Sequence, residues 1–274
     1  VDFIALPTNV AANLYNKGVD LKLLNVSIWG ILGLVSRDKN LKSIEDFKNK
    51  EIIVPFRADM PDIVMQALIK KSGLDIKNDF KLQYVATPVD AMQMLILRRA
   101  DHALLAEPAI SIALRKTGSF PVKLIAPDLY RSINLQEEWG RLYKIEAKIP
   151  QAGLAIIGDT NGKEELISKV LAEYDKSLAW YKNNKEEASK LVVKTLPMLE
   201  EKGLADSIEH VRFENINAIN SKKDLEFFFD ILMQNDSKLI GGKLPNEDFY
   251  YKWRIFQKYY NKKSWWWTIK WLFF

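Results

Sequence analysis

The sequence predicts an α/β fold, built as one large domain or as two lobes. Short apolar runs of strand length alternate with helical patterns, the texture of parallel strands joined by helical crossovers. Proline opens three of the helical patterns, at Pro61, Pro88 and Pro108, where its fixed φ and missing donor suit a first turn. From Gly162 onward the pattern changes to longer amphipathic helices. The chain has 274 residues, 48% of them hydrophobic, which is ample to bury a core of this kind.

Taken in order, the first strand is expected over residues 1–6, VDFIAL, with a helix starting at Thr8. Further strands are expected over 21–26, 31–36, 51–55, 81–85, 103–106, 122–126 and 153–157. The helix that starts at Pro61 places Ile63, Ala67 and Lys70 on one spacing and closes at Gly73, a C-cap residue. The next carries Ala91 and Leu95 among Met92, Met94 and Ile96, a stripe that reads as core. Later, EELISKVLAEYDKSLAWYKNN repeats apolar residues every three or four positions, KEEASKLVVKTL follows, and 224–234 and 245–261 are also expected to be helical. There is no internal repeat and no long low-complexity linker, so a boundary between lobes is a pair of hinge crossings and not a flexible tether.

The formal charge of +5 comes from 40 Lys/Arg against 35 Asp/Glu, and it is unevenly placed. No acidic residue follows Asp248, whereas six basic residues do, which leaves residues 1–248 at a net −1. Thirteen of the 31 aromatic residues, five of the eight Trp among them, also lie after Asp248. A nucleic-acid reading is therefore disfavoured, because the excess charge has no folded basic face. The end KKSWWWTIKWLFF instead has the order of a membrane interface, a basic pair before aromatic and apolar residues, and it is too short to span. Residues 252–274 therefore read as a truncated membrane helix, an interfacial anchor or a sequence artefact, the first two of which imply a membrane contact.

The familiar enzyme motifs are missing. There is no GxSxG elbow, HExxH helix or GxGxxG turn, and GDTNGKEE at 158–165 is one residue short of a phosphate loop. The absence of Cys excludes thiolate metal sites and cysteine nucleophiles, and two scattered histidines, His102 and His210, give no reason to expect a metal or other cofactor. What remains is a set of polar residues at strand-to-helix junctions, which in an open α/β sheet gather at the strand ends where ligands bind. Thr8 and Asn9 form the first, able to cap a helix or face a ligand. PFRADMPD, residues 55–62, is the second; its helix N-terminus can receive an anion and Arg57 adds a forked cation for a carboxylate or sulfonate. Glu107 before Pro108 is the third.

At these residues the chain resembles the substrate-binding proteins of ABC importers of the nitrate/sulfonate/taurine and thiamine-precursor type. The resemblance runs through VDFIALPTNVAANLYNKG, WGILGLVSRD with SIEDFKNKEIIVP, TPVDAMQMLILRRADHALLAEPA, PQAGLAII and LIGGKLPNEDFYY, covering about residues 1–251. It implies a two-lobed type II periplasmic-binding-protein fold with two hinge crossings. The first lobe would comprise 1–40 and 152–251 and the second 41–151, with the first crossing after 31–36 and PQAGLAII as the return. The helices after Gly162 would complete the first lobe. The family begins with a strand, helix and strand before the segment matching Val1, so that lobe is expected to be incomplete at its N-terminus.

The resemblance further implies a cleft faced by Thr8, Asn9, residues 56–60 with Arg57, Asp59 and Met60, and Glu107, with Trp29 and Gln151 at its edges. Gln136 and Trp139 are weaker candidates. The implied activity is capture of a small organic solute, a sulfonate-like anion or an aminopyrimidine-like heteroaromatic, outside the cytoplasm by a lipid-anchored protein. Delivery would be to an ABC transporter permease, by closure of the lobes and without a chemical step. In the heteroaromatic case Trp29 would stack on the ring and Asp59 or Glu107 would take its amino group. An enzyme of the thiamine-pyrimidine or menaquinone pathway on the same fold is the alternative. The thiamine-pyrimidine form uses a Cys-rich motif and an active-site His, which this chain does not match.

Overall fold

The computed structural model of the protein describes residues 2–125 and 128–252. β1 (Phe3–Pro7) runs into α1 (Thr8–Asn16), followed by β2 (Leu21–Leu23) and β3 (Asn25–Gly30). After one residue β4 (Leu32–Ser36) begins, then β5 (Glu51–Pro55), α2 (Met60–Lys71), α3 (Ile76–Asp79), β6 (Lys81–Val85) and α4 (Pro88–Ile96). Next come β7 (His102–Ala106), α5 (Ala109–Gly118), α6 (Val122–Ile125), β8 (Tyr130–Asn134) and α7 (Leu135–Tyr143). The chain continues through β9 (Ala152–Ile157), α8 (Glu164–Asn183), α9 (Lys185–Thr195), α10 (Glu201–Ser207), β10 (Arg212–Asn217) and α11 (Lys222–Asn235), and ends in short 3-10 turns.

The strands form two sheets, in keeping with a two-lobed α/β fold. The first has the order β1-β9-β3-β10, with β2 also on β9; the second has the order β6-β5-β7-β4-β8. Fewer pairs are parallel than the alternation of strands and helices suggests. Only β5 is parallel to its neighbours, β6 and β7, and every other pairing of these strands is antiparallel. The reason is connectivity: β4 and β9 are the strands by which the chain enters one sheet from the other, and each arrives running against its new neighbours.

The first crossing comes at residues 30–32, ahead of β4 and not after it. All five residues of β4 are buried, so it needs a place inside a sheet, and it lies between β7 and β8. Of the strand expected over 122–126, Val122–Ile125 form a helix, α6, led by Pro121 with Lys123 N–H bonded to the Ser119 carbonyl, and residue 126 lies outside the described residues. The edge strand is β8 instead; its YRSIN lacks a clean apolar alternation because it pairs on one side only. Residues 253–261 of the helix expected over 245–261, and nearly all of the aromatic tail, lie outside the described residues; within them Glu247–Phe249 form a 3-10 turn. No helix among the described residues is long and apolar enough to cross a membrane.

Packing ties the sheets together on one side. A single apolar core joins Leu6, Leu23 and Trp29 of the first sheet to Leu34, Ile52 and Leu104 of the second, through Trp139 of α7 and Phe228 of α11. On the other side the cores are separate. Val35, Ile53, Ala103 and Leu105 pack on α4 and α5, while Leu24, Leu154 and Ile156 pack on Ile167 and Leu171 of α8. The helices after Gly162 are therefore divided. α8 covers the first sheet, α11 packs on α2 and on the turn at Ser237–Ile240, and α10 lies on α5 of the second sheet, with Asp206 paired to Arg115 at 2.9 Å.

Gly153 marks the tightest approach in the first sheet, since a Cβ there would sit 1.9 Å from the backbone oxygen of Asn25. Backbone cannot yield as a flexible side chain can, so Gly153→Ala is expected to cost at least about 3 kcal/mol in urea unfolding; an unchanged midpoint would show that the sheet register is wrong.

Candidate ligand-binding site between the two sheets

The facing edges of the sheets are made of strand ends. Pro7 of β1, Gly30 of β3 and the start of β9 meet Pro55 of β5, Val85 of β6, Ala106 of β7 and the start of β4. Gln151, only 1% exposed, joins four segments there. Its N–H donates to the Ile28 carbonyl at 2.9 Å, its carbonyl accepts from Thr8 N–H at 3.0 Å, and its Oε1 accepts from Ile31 N–H at 2.8 Å. Its Nε2 lies 3.9 Å from the Met60 sulfur across the gap. Gln136 holds the next residue of the same crossing, with Oε1 accepting from Leu32 N–H at 3.1 Å. A Cβ on Gly30 would sit 2.2 Å from the Gln136 Cγ, so the crossing needs glycine at this point. Two amide side chains thus supply the bonds that the backbone loses where it leaves one sheet and has not yet joined the next.

Thr8 and Asn9 open α1, as expected, but they differ in what they leave free. The Thr8 hydroxyl donates to the Pro150 carbonyl at 2.5 Å. Asn9 is 3% exposed and its Oδ1 has no hydrogen-bond partner among the described residues, while the first turn of α1 has no side-chain cap. A buried acceptor without a partner costs of order 1–3 kcal/mol, which a donor brought to it would offset.

The loop at 56–60 is rigidly held by its own helix. Phe56 and Ala58 have φ of 55° and 62°, a conformation that disfavours residues with a Cβ. Asp62 compensates: its fully buried carboxylate accepts from Ala58 N–H at 2.8 Å, Gln66 Nε2 at 2.9 Å and the Tyr84 hydroxyl at 3.3 Å. Burial, with the Asp62 charge beside it, pushes the Tyr84 phenol above its ordinary pKa. Arg57 stacks over the Tyr84 ring at 5.0 Å. Asp59 caps the Met60 N–H at 2.7 Å, so part of the α2 N-terminus expected to receive an anion is already occupied by carboxylate. Asp62 is absent from the expected site residues, although its spacing from Asp59, cap to third helical position, is a readable signal.

Glu107 is likewise engaged. Its Oε1 accepts from Arg131 at 2.8 Å and 3.2 Å, and its Oε2 accepts from the N–H and hydroxyl of Ser111 at 3.1 Å and 2.8 Å. Beside this pair Gly33, Arg131, Asn134 and His210 line a cavity of about 50 Å³, room for water and not for an organic solute. Trp29 is fully buried, its indole N–H given to the Glu214 carbonyl at 2.8 Å and its ring covered by the Lys148 ammonium at 4.8 Å. It offers no ring face for stacking. Trp139 belongs to an aromatic cluster with Tyr143, Phe227 and Phe228. The structure thus brings Thr8, Gln151 and Met60 together, with Asn9 beside Thr8. Arg57 and Asp59 lie on the opposing loop, and Glu107 is held in a pair with Arg131.

Removing the Gln151 side chain leaves the Ile31 N–H without its partner, and Gln136→Ala does the same to Leu32. Each is expected to cost about 1–3 kcal/mol in urea unfolding, against less than about 0.5 kcal/mol for the exposed Gln93→Ala. Stability should also depend on pH through both histidines. Burial holds His102 and His210 below the ordinary imidazole value, helped by Lys50 and Arg131 respectively and opposed by nearby acids. A depressed folded value means that only the unfolded chain takes up the proton first. Stability is therefore full above about pH 6.5 and falls as the pH drops below it. His210→Gln should flatten that fall in thermal melts, and an unchanged slope would contradict the burial argument.

No protein-family model matches the sequence, and no curated protein matches it. Solved structures do. An ABC transporter structure from Parabacteroides distasonis is 23% identical, with a TM-score of 0.73 over 93% of this chain and 82% of that one. The periplasmic aliphatic sulphonate binding protein SsuA from Escherichia coli is 17% identical, with a TM-score of 0.64 over 91% of this chain and 78% of that one. The ligand binding component of an ABC-type import system from Staphylococcus aureus, with zinc bound, is 13% identical, with a TM-score of 0.63 over 92% and 78%. The chain has the fold of the periplasmic binding proteins that serve ABC transporters.

Proposed function

We propose that the protein captures a small organic solute between two lobes, one built on each sheet and parting at the crossing at residues 30–32, and passes it to an ABC transporter permease outside the cytoplasm. The observation that carries this reading is the clamped crossing at residues 30–32, which leaves polar strand ends facing one another beside a shared core on one side only. A ligand that touches both edges binds the closed form alone and shifts the equilibrium toward it. No bond is made or broken. The importer components of similar fold support the transport role over the enzyme alternative.

The caps favour a ligand rich in hydrogen-bond donors over a bare anion. Among the helices that start at the second sheet's facing edge, α2 is capped by Asp59, α4 by Thr87 with Asp90, and α5 has Glu107 on the Ser111 N–H. Those termini already hold negative charge, which repels a second anion. The open acceptor of Asn9 asks for a donor, as an aminopyrimidine-like heteroaromatic supplies. A sulfonate is the second reading, favoured by Arg57, which has no ion pair among the described residues, and by the fold shared with SsuA.

Calorimetric titration with an aminopyrimidine and with an alkanesulfonate tests both. The heteroaromatic is expected to bind and to lose at least tenfold in affinity in Asn9→Ala, with the ligand recovered unaltered. Tight sulfonate binding that is lost in Arg57→Ala would replace this ligand class, and product formation would overturn the transport role.

A further inference from the structure

The edge of the second sheet farthest from the crossing carries a feature that the solute site does not use. Here β4 ends and β5, β6 and β7 begin, and two adjoining basins of about 600 Å³ and about 510 Å³ open between them. They share a wall formed by Lys50, Arg98, Asp101 and His102. Although residues 1–248 have a net charge of −1, these walls bring together Arg37, Lys39, Lys50, Lys81, Arg98 and Arg99. The acids in the same walls are Asp38, Glu51 and Asp101, half as many. Among the described residues Lys39, Lys50, Lys81 and Arg99 form no ion pair, while Arg37 lies 3.7 Å from Asp101.

Burial lowers the Arg37 guanidinium and the His102 imidazole below their ordinary values, with Asp101 opposing the shift and Arg98 and Lys50 respectively adding to it. Arg98 has a φ of 58° at the end of α4, where its N–H bonds the Leu95 carbonyl at 3.1 Å.

We propose that these basins form a second binding site, distinct from the solute cleft, for a compact oligophosphate group. Their combined size exceeds what one inorganic phosphate fills, and four unpaired cations match a group that carries several charges close together. The chemistry is that of a free di- or triphosphate or of the phosphates that an anionic membrane face presents side by side, and the test separates these two sources.

Inorganic pyrophosphate is titrated calorimetrically into the full chain at low and at physiological salt, and in parallel the chain is floated with vesicles of phosphatidylglycerol or of phosphatidylcholine. Saturable binding of one pyrophosphate, weakened at least tenfold in Lys50→Glu and in Arg99→Glu but unchanged in the exposed control Lys190→Glu, supports the site with a soluble ligand. Flotation with phosphatidylglycerol alone, lost in the same two variants and without pyrophosphate binding, supports it with a lipid source. No binding in either arm, or binding that survives both charge reversals, overturns it. Thermal melts of each variant confirm that loss of binding is not loss of fold.

Discussion

The buried amide of Gln151 is the contact on which the arrangement depends. A chain that leaves one sheet for another must pass through a stretch whose backbone groups belong to neither ladder, and such groups cannot be buried unpaired. Gln151 binds β3, the crossing at Ile31 and the first residue of α1 together, and Gln136 does the same for Leu32. The crossing is thereby ordered without being made part of a sheet. Lobe closure, as proposed, would turn the sheets about this crossing, with α1 and the 56–60 loop each held to its own sheet.

The second constraint is how the helix starts at the facing edges are satisfied. Asp59 and Glu107 each accept from an N–H of the helix that begins beside them, and Asp90 accepts from the Thr87 N–H just ahead of its own helix, so the second sheet's edge presents carboxylates. The start of α1 carries no such group and holds the unpartnered Asn9 oxygen. The two edges therefore differ chemically, and a neutral donor-rich solute suits the difference better than a small anion. A further group of cations lies away from this edge, lining the basins at the opposite end of the second sheet.

Much of this was legible in the sequence, and the parts that were not share a cause. Apolar runs identified β5, β6, β7 and β9, and the prolines placed the starts of α2, α4 and α5 within a residue or two, because local propensity and burial agree there. β8 and β10, YRSIN and RFENIN, were missed because edge strands bury one side only and keep polar residues. Arg131 was missed with β8, and so the ion pair that engages Glu107 was missed too. Trp29 looked like a stacking residue because a sequence shows an aromatic side chain but not the Lys148 that covers it. The early crossing was hidden because LGLVS reads as a strand whichever sheet it joins.

The central claim, closure of two lobes on an unaltered solute, is tested most directly by a distance measured across the gap. The chain has no cysteine, so spin labels at Lys169→Cys on α8 and Gln93→Cys on α4, both exposed, report one distance each way. Double electron–electron resonance with and without an aminopyrimidine should show a shorter, narrower distance distribution in the presence of ligand, which is then recovered chemically unchanged. A bound ligand with an unmoved distribution, or a ligand recovered as a product, would contradict the account.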